Sequence, residues 1–201
     1  STKVQKGSID KLYEFAMKNK DVGVVAPRLL NPDGSVQGSV FRTPTIWRNI
    51  KQFFLGEEKL LYKYAPAVNS PIEVEVVQTA AFLITPQAIK KSGLLNEKFF
   101  MYFEEFDYCR RVRERGLKIV YFPESEVVHY HGASGEKLAA PEAQWRRLIP
   151  SSKIYHGFIK HYILTLVILI GQKWRKIIWV VLVILLTIPA FWNLLRPGLF
   201  S

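Results

Sequence analysis

Apolar residues recur along this chain with two periods, and the changes of period mark out its elements. Ile9, Leu12, Tyr13 and Ala16 fall on one helical face behind Ser8, which predicts a helix capped by that serine. Asp21 breaks the pattern, and the apolar run at 22–26 predicts a short buried strand. Asn31-Pro32-Asp33-Gly34 signals a turn, with a second short strand expected over 36–41. Residues 45–55 read as a partly exposed helix. Ile72, Val74 and Val76 alternate with Glu73 and Glu75, a strand with one wet face, whereas 80–85 is apolar on both sides and predicts a central strand. Pro86 opens a short helix that ends near Gly93. A helix from Glu104, acidic in its first turn and basic later, stops at Gly116. Strands follow over 117–122 and from Glu126, the latter running into a loop. Helices alternating with short strands indicate an α/β or mixed α/β sheet over residues 1–140.

The tail has a different character. An amphipathic basic helix is expected from 141 to about 170, with Gly171 to Lys176 interrupting it; residues 141–176 form an interfacial region. Residues 177–195 then run for 19 positions without a charge. At 1.5 Å per residue this is about 28 Å, close to the hydrocarbon thickness of a bilayer. Trp174, Trp179 and Trp192 stand near its ends, as interfacial aromatics do, and the pattern predicts one transmembrane helix. The alternative is a helix buried in a core, which a domain of this size has little material to surround.

Charge supports the membrane reading. The chain carries 28 Lys and Arg against 17 Asp and Glu, a net charge of +11. From Arg146 onward there are eight basic residues and no acidic one, so the preceding 145 residues are only +3. Positive charge beside apolar sequence suits anionic lipid headgroups, and a nucleic-acid surface is not expected. Lys173, Arg175 and Lys176 outnumber Arg196, which predicts a globular part on the cytoplasmic side of the inner membrane. The single cysteine, Cys109, excludes a disulfide framework and reads as a small buried apolar residue in a reducing compartment.

Two segments could carry chemistry. The first, Phe99 to Arg111, leads an aromatic cluster into Glu104, Glu105 and Asp107. Adjacent residues of a helix point about 100° apart, so Glu104 and Glu105 have different surroundings. The plainer explanation is a solvated acidic first turn favoured by the helix dipole. The second, Phe122 to Gly135, places His129 and His131 on the same side of an extended stretch, where they could share a metal or serve as polar residues at a strand end.

In order and spacing, MYFEEFDYCRR followed by ERGLKIVYFPESEVVHYHGAS resembles the family 2 glycosyltransferases. VGVVAPRLLNPDGSVQ and VVQTAAFLITPQAIKKSGLLNEKFF upstream extend the likeness to roughly residues 21–134, and its nearest form is the rhamnosyltransferase-like branch of surface-polysaccharide assembly. The resemblance implies the C-terminal part of a GT-A catalytic domain and an inverting transfer from a nucleotide-diphosphate sugar to a lipid-linked glycan. The second acid of the family's Glu-Asp pair carries the general-base role onto Glu105, one methylene longer than its counterpart, with Glu104 and Asp107 as fallbacks. The family uses magnesium or manganese, and His129 matches a histidine near its metal or diphosphate, with His131 as a further candidate. Gln78, Thr79 and Ala80 are expected beside the donor and acceptor, with Tyr102, just ahead of the acids, as a further binding residue, and Arg42 either toward the acceptor or simply at the surface. Arg111 matches a basic position of the helix that could contact the donor or acceptor, though pairing with Asp107 four residues earlier is the better use of it.

Nothing in residues 1–20 resembles the family's nucleotide-binding strands or its Asp-x-Asp motif. The expectation is therefore part of a longer enzyme, itself poor at binding a sugar nucleotide. The competing expectation is a membrane-tethered interaction module with a degenerate glycosyltransferase fold.

Overall fold

The computed structural model describes residues 1–57, 59–130 and 141–194. The chain divides into two compact units, one of Ser1–Pro44 with Leu61–His161, the other of Thr45–Leu60 with the chain from Tyr162 onward.

The first unit is mixed α/β, built on two long parallel strands, β2 (Val22–Leu30) and β8 (Lys118–His129). Short antiparallel strands line their outer edges. β1 (Thr2–Val4) and β5 (Ile72–Glu73) pair with β8; β3 (Val36–Gln37) and β7 (Leu83–Ile84) pair with β2. A separate two-stranded ribbon joins β4 (Val40–Phe41) to β6 (Val76–Val77).

The two central strands are longer than predicted because each continues through a proline. Their register slips where β2 steps from Pro27 to Arg28 and β8 from Phe122 to Glu126. Neither Pro27 nor Pro123 has an N–H to give the ladder, so this is where a sheet tolerates an irregularity. Helix α1 (Ser8–Lys18) satisfies the groups this exposes. Ser8 Oγ donates to the Glu126 carbonyl at 2.7 Å, Ser125 Oγ donates to the Ser8 carbonyl at 2.9 Å, and Lys11 Nζ reaches the Glu124 carbonyl at 3.0 Å. Ser8 is therefore spent on β8, and Gly7, at φ 78°, occupies the cap position predicted for the serine. Leu12 and Ala16 are buried as expected, while Ile9 and Tyr13 face solvent.

The predicted central strand over 80–85 contracts to the two residues of β7 on an edge of the sheet. The alternation ahead of it holds, with Val74 and Val76 buried and Glu73 exposed, but the chain leaves the main sheet between β5 and β6. Helix α3 (Pro86–Ser92) is capped by Thr85, whose Oγ accepts from the Ala88 N–H at 3.2 Å and donates to the Val22 carbonyl at 3.1 Å. Helix α4 (Glu104–Glu114) lies on the sheet through Cys109 and Val112, which are fully buried with Val24, Ile119 and Tyr121.

The tail departs from expectation twice. Helix α5 (Pro141–His156) ends at Gly157, which adopts φ 77°, and α6 (Phe158–Leu194) then runs without the predicted interruption at 171–176. In the second unit Gly171 is a packing residue: a Cβ there would lie 2.4 Å from Phe53 Cβ on helix α2 (Ile46–Phe54). The predicted membrane span is not met. Among the described residues no helix is long and apolar enough to cross a membrane. Lys173 and Lys176 interrupt the apolar face of α6, and part of the predicted span lies outside the described side chains.

Gly23 shows how closely α4 seats on β2, since a Cβ at that position would stand 2.4 Å from Val112 Cγ1. Gly23→Ala is therefore expected to cost about 1–3 kcal/mol through overpacking. Urea denaturation checks this, and an unchanged midpoint would refute the close contact.

Candidate functional site

The site forms at the head of α4. Tyr102 and Phe103 both have φ 67°, an unfavourable conformation for residues with a Cβ, so packing has to hold the turn. The Phe103 ring supplies it, lying 5.4 Å from Phe106, 5.2 Å from Tyr155 and 5.5 Å from His156 between ring centres. Ser151 Oγ donates to the Met101 carbonyl at 2.7 Å and ties α5 to the same turn.

The three acids that leave this turn have separate fates. Asp107 is 5% exposed and fully engaged, with its Oδ1 2.9 Å from Arg110 and its Oδ2 2.8 Å from Arg111 Nε. Arg111 also donates to the carbonyls of Ser92 and Leu94, which joins α4 to the end of α3. The pairing foreseen for Arg111 is thus present, and it accounts for Asp107 as a structural anchor.

Glu105 is the opposite case. It is only 8% exposed, and its Oε2 is buried without a hydrogen-bond partner. Burial, then the neighbouring charge of Glu104, pushes its carboxyl up to about 7, against the pull of a backbone hydrogen bond and Lys63. A helix N-terminus favours the carboxylate, but desolvation wins here. Glu104 Oε2 is likewise buried and unpartnered. Neither glutamate fits a solvated acidic turn. Cys109, one turn beyond Glu105, has its thiol pushed up to about 12 by burial and behaves as the inert apolar residue predicted for it.

Other predicted residues lie on several elements. Gln78 follows β6, and its N–H donates to the Ser39 carbonyl at 2.9 Å while its Oε1 is buried and unpartnered. Thr79 and Ala80 occupy the turn that follows. Arg42 lies over the Tyr64 ring, 4.4 Å from its centre. His129 ends β8, where Nδ1 and Gln37 Oε1 are 2.7 Å apart, and Gln37 in turn donates to Asn31 Oδ1 at 2.7 Å. His131 lies outside the described residues. Among those described, no group of three or more His, Cys, Asp or Glu could hold a metal ion, and His129 is engaged with Gln37. The described donors alone do not fit a divalent cation.

No protein-family model matches the chain. It is 29% identical over 134 residues to the N-acetylglucosaminyl-diphospho-decaprenol L-rhamnosyltransferase of Mycobacterium tuberculosis, covering 64% of this chain and 44% of that protein. To the low-salt glycan biosynthesis hexosyltransferase Agl10 of Haloferax volcanii it is 26% identical over 127 residues, 63% of this chain and 38% of that one. Its homologues are glycosyltransferases. The chain thus spans less than half the length of the curated relatives it matches. A crystal structure of GalNAc-T7 with UDP, GalNAc and Mn2+ is similar at 16% identity and a TM-score of 0.46, over 77% of this chain and 29% of that one.

The glycosyltransferase resemblance read from the sequence therefore holds, while three residues of the site escaped that reading. Lys63 opposes the proton on Glu105 from a segment without any periodic signal. Tyr155 and His156 reach the head of α4 from a helix read only as an interfacial element. The one hint was a histidine immediately before Gly157 in a tail otherwise rich in Lys and Arg.

The raised Glu105 pKa has a defined linkage. The unfolded chain loses this proton near 4.5 and the folded chain near 7, so the folded state binds more protons in between. Its contribution makes stability fall as pH rises from about 4.5 to about 7 and level off above. Glu105→Gln is expected to remove that decline, as read by chemical denaturation at several pH values. A mutant with the same decline would place the titration elsewhere. Asp107→Asn should instead destabilise the fold by about 2–3 kcal/mol at neutral pH, the exposed Arg110 limiting the loss.

Proposed function

We propose that this chain is the C-terminal catalytic part of an inverting glycosyltransferase that elongates a lipid-linked, cell-surface glycan. The observation that carries the reading is Glu105: a buried carboxyl with an unpartnered oxygen, titrating near neutrality, in a homologue of glycosyltransferases. A group of that proton affinity is well matched to act as a general base near pH 7.

In the proposed step the acceptor hydroxyl oxygen attacks the anomeric carbon from the face opposite the nucleoside diphosphate. Glu105 takes the hydroxyl proton, a new C–O bond forms, and the bond to the diphosphate breaks with its electron pair leaving on the phosphate oxygen. Glu104 keeps Glu105 proton-avid, and Gln78 Oε1, buried without a partner, would accept from a sugar hydroxyl. Magnesium or manganese belongs to the proposal through the family resemblance, and no step is routed through it because the described donors do not fit one. The Mycobacterium relative is named for a diphospho-decaprenol acceptor, which favours a polyprenyl diphosphate carrier here. The proposed location is the cytoplasmic face of the inner membrane. The all-basic tail and the exposed apolar residues of α6, Trp179 and Leu166 among them, support attachment there.

The test is transfer of radiolabelled sugar from a panel of nucleotide sugars into lipid extract by membranes holding the full-length protein, with and without EDTA. Glu105→Gln is expected to lower transfer by about 10²–10⁴-fold, and the wild-type rate should rise with pH through about 7. Transfer that survives the substitution would remove Glu105 from the base role. A folded wild-type protein inactive with every donor would favour the non-catalytic interaction module.

A further inference from the structure

The second unit carries an apolar surface that the transfer chemistry does not use. Helix α2 is inside out for a helix packed on a core. The residues it buries are polar, Asn49 and Gln52, whereas Trp47 is 59% exposed and Leu55, just past its end, is 62% exposed. Trp47, Ile50 and Phe54 follow the spacing of one helical stripe, while Asn49 turns its amide back onto the Thr45 carbonyl at 2.8 Å.

Helix α6 shows the same inversion over a longer stretch. Every residue from Ile177 to Leu185 is apolar and exposed, from 39% at Ile178 to 72% at Trp179. A helix apolar on all sides calls for a core or a hydrocarbon phase around it. Gly171 fixes the level at which α2 meets α6. A Cβ there would stand 2.4 Å from Phe53 Cβ and 3.1 Å from Phe54 Cε2, so the two helices approach closely at that point. The apolar run begins about 9 Å further along the axis, at 1.5 Å per residue. Between the two levels stand Lys173, Trp174 and Lys176, all exposed.

An apolar run, then tryptophan with lysine, then a second helix crossing at that level is the order in which a bilayer surface presents hydrocarbon, interface and headgroups. Charge selects the occupant. From Arg146 onward the chain has eight Lys and Arg and no acid, which complements anionic headgroups and would set like charges together in a pair of copies. On α2 itself Lys51 is paired with Glu57 at 2.9 Å, so the attraction falls to the basic residues of α6. We propose that the second unit is a two-helix dock for an anionic phospholipid bilayer. Residues 177–185 enter the hydrocarbon, Lys173 and Lys176 meet the headgroups, and α2 lies at the interface with Trp47 and Leu55 in the lipid. The proposal rests on the membrane location given above, not on the transfer chemistry, and adds α2 as an anchor from the middle of the chain.

The full chain would be titrated with vesicles of phosphatidylcholine, with and without phosphatidylglycerol, and binding read by sedimentation. A Leu55→Cys form carrying an environment-sensitive fluorophore reports on α2 itself, since Cys109 is buried. Binding should need phosphatidylglycerol, and the label should shift to the blue and be quenched by a spin label near the lipid headgroup. Trp47→Glu should weaken binding about tenfold or more, as should Lys173→Glu combined with Lys176→Glu, with folding checked by circular dichroism. A label that stays in water on vesicle-bound chain, or binding indifferent to Trp47→Glu, would refute the dock and leave the membrane location standing. No binding to either vesicle would refute both. Equal binding to the two vesicles would overturn the anionic occupant, and dimers formed in place of vesicle binding would give the face to a second copy of the chain.

Discussion

The first unit depends on the parallel pairing of β2 with β8, strands separated by some ninety residues of sequence. Their register runs from Val22 opposite Lys118 to Leu30 opposite Val128, with one slip between Val22 and Val24 and another at the prolines. Every other strand of the main sheet pairs with one of these two, and α4 seats on them through Val112 against Gly23. A pairing of such long range costs loop-closure entropy before any contact repays it. The fully buried faces of both strands provide the repayment, with Val24, Val25, Ile119 and Tyr121 all excluded from water.

On that base the head of α4 shows a conflict between local and tertiary forces. Locally, three acids at a helix N-terminus are favourable and would remain ionised. Burial at the head of α4, beside the aromatic layer of Phe103, Phe106 and Tyr155, removes the water that makes them so. Asp107 escapes the penalty by capturing two arginines, whereas Glu105 has no such pair and holds its proton to near neutrality. Two nearby carboxylates thereby differ: one helps anchor α3 to α4, the other keeps its proton to near neutrality. Structural violations of this kind, a buried polar atom without a partner behind a strained turn, are the ones most often kept for function.

Much of this was legible in the chain. Turn signals, capping residues and local periodicity act within a few residues, so Pro86 after Thr85, Gly93, Gly116 and the acidic start of α4 were found where they were expected. Glycosyltransferase kinship was legible as well, because the run from Tyr102 to Arg111 and the strand after Gly116 preserve order and spacing. Errors arose where a residue had two uses. Ser8 looked like a cap and serves the irregular step in β8; Gly171 looked like a breaker and is a packing contact; residues 80–85 looked central and are cut short at an edge.

The sequence by itself determined the elements whose stability is local, the order of the motifs, and the types of residue available for acid–base chemistry. Tertiary structure alone decided which acid is desolvated, and it brought Lys63, Tyr155 and His156 to residues some forty to fifty positions away. The reason is physical: periodicity, capping and the ion pairs one helical turn apart depend on neighbours along the chain, whereas burial depends on neighbours in space, which no local pattern specifies.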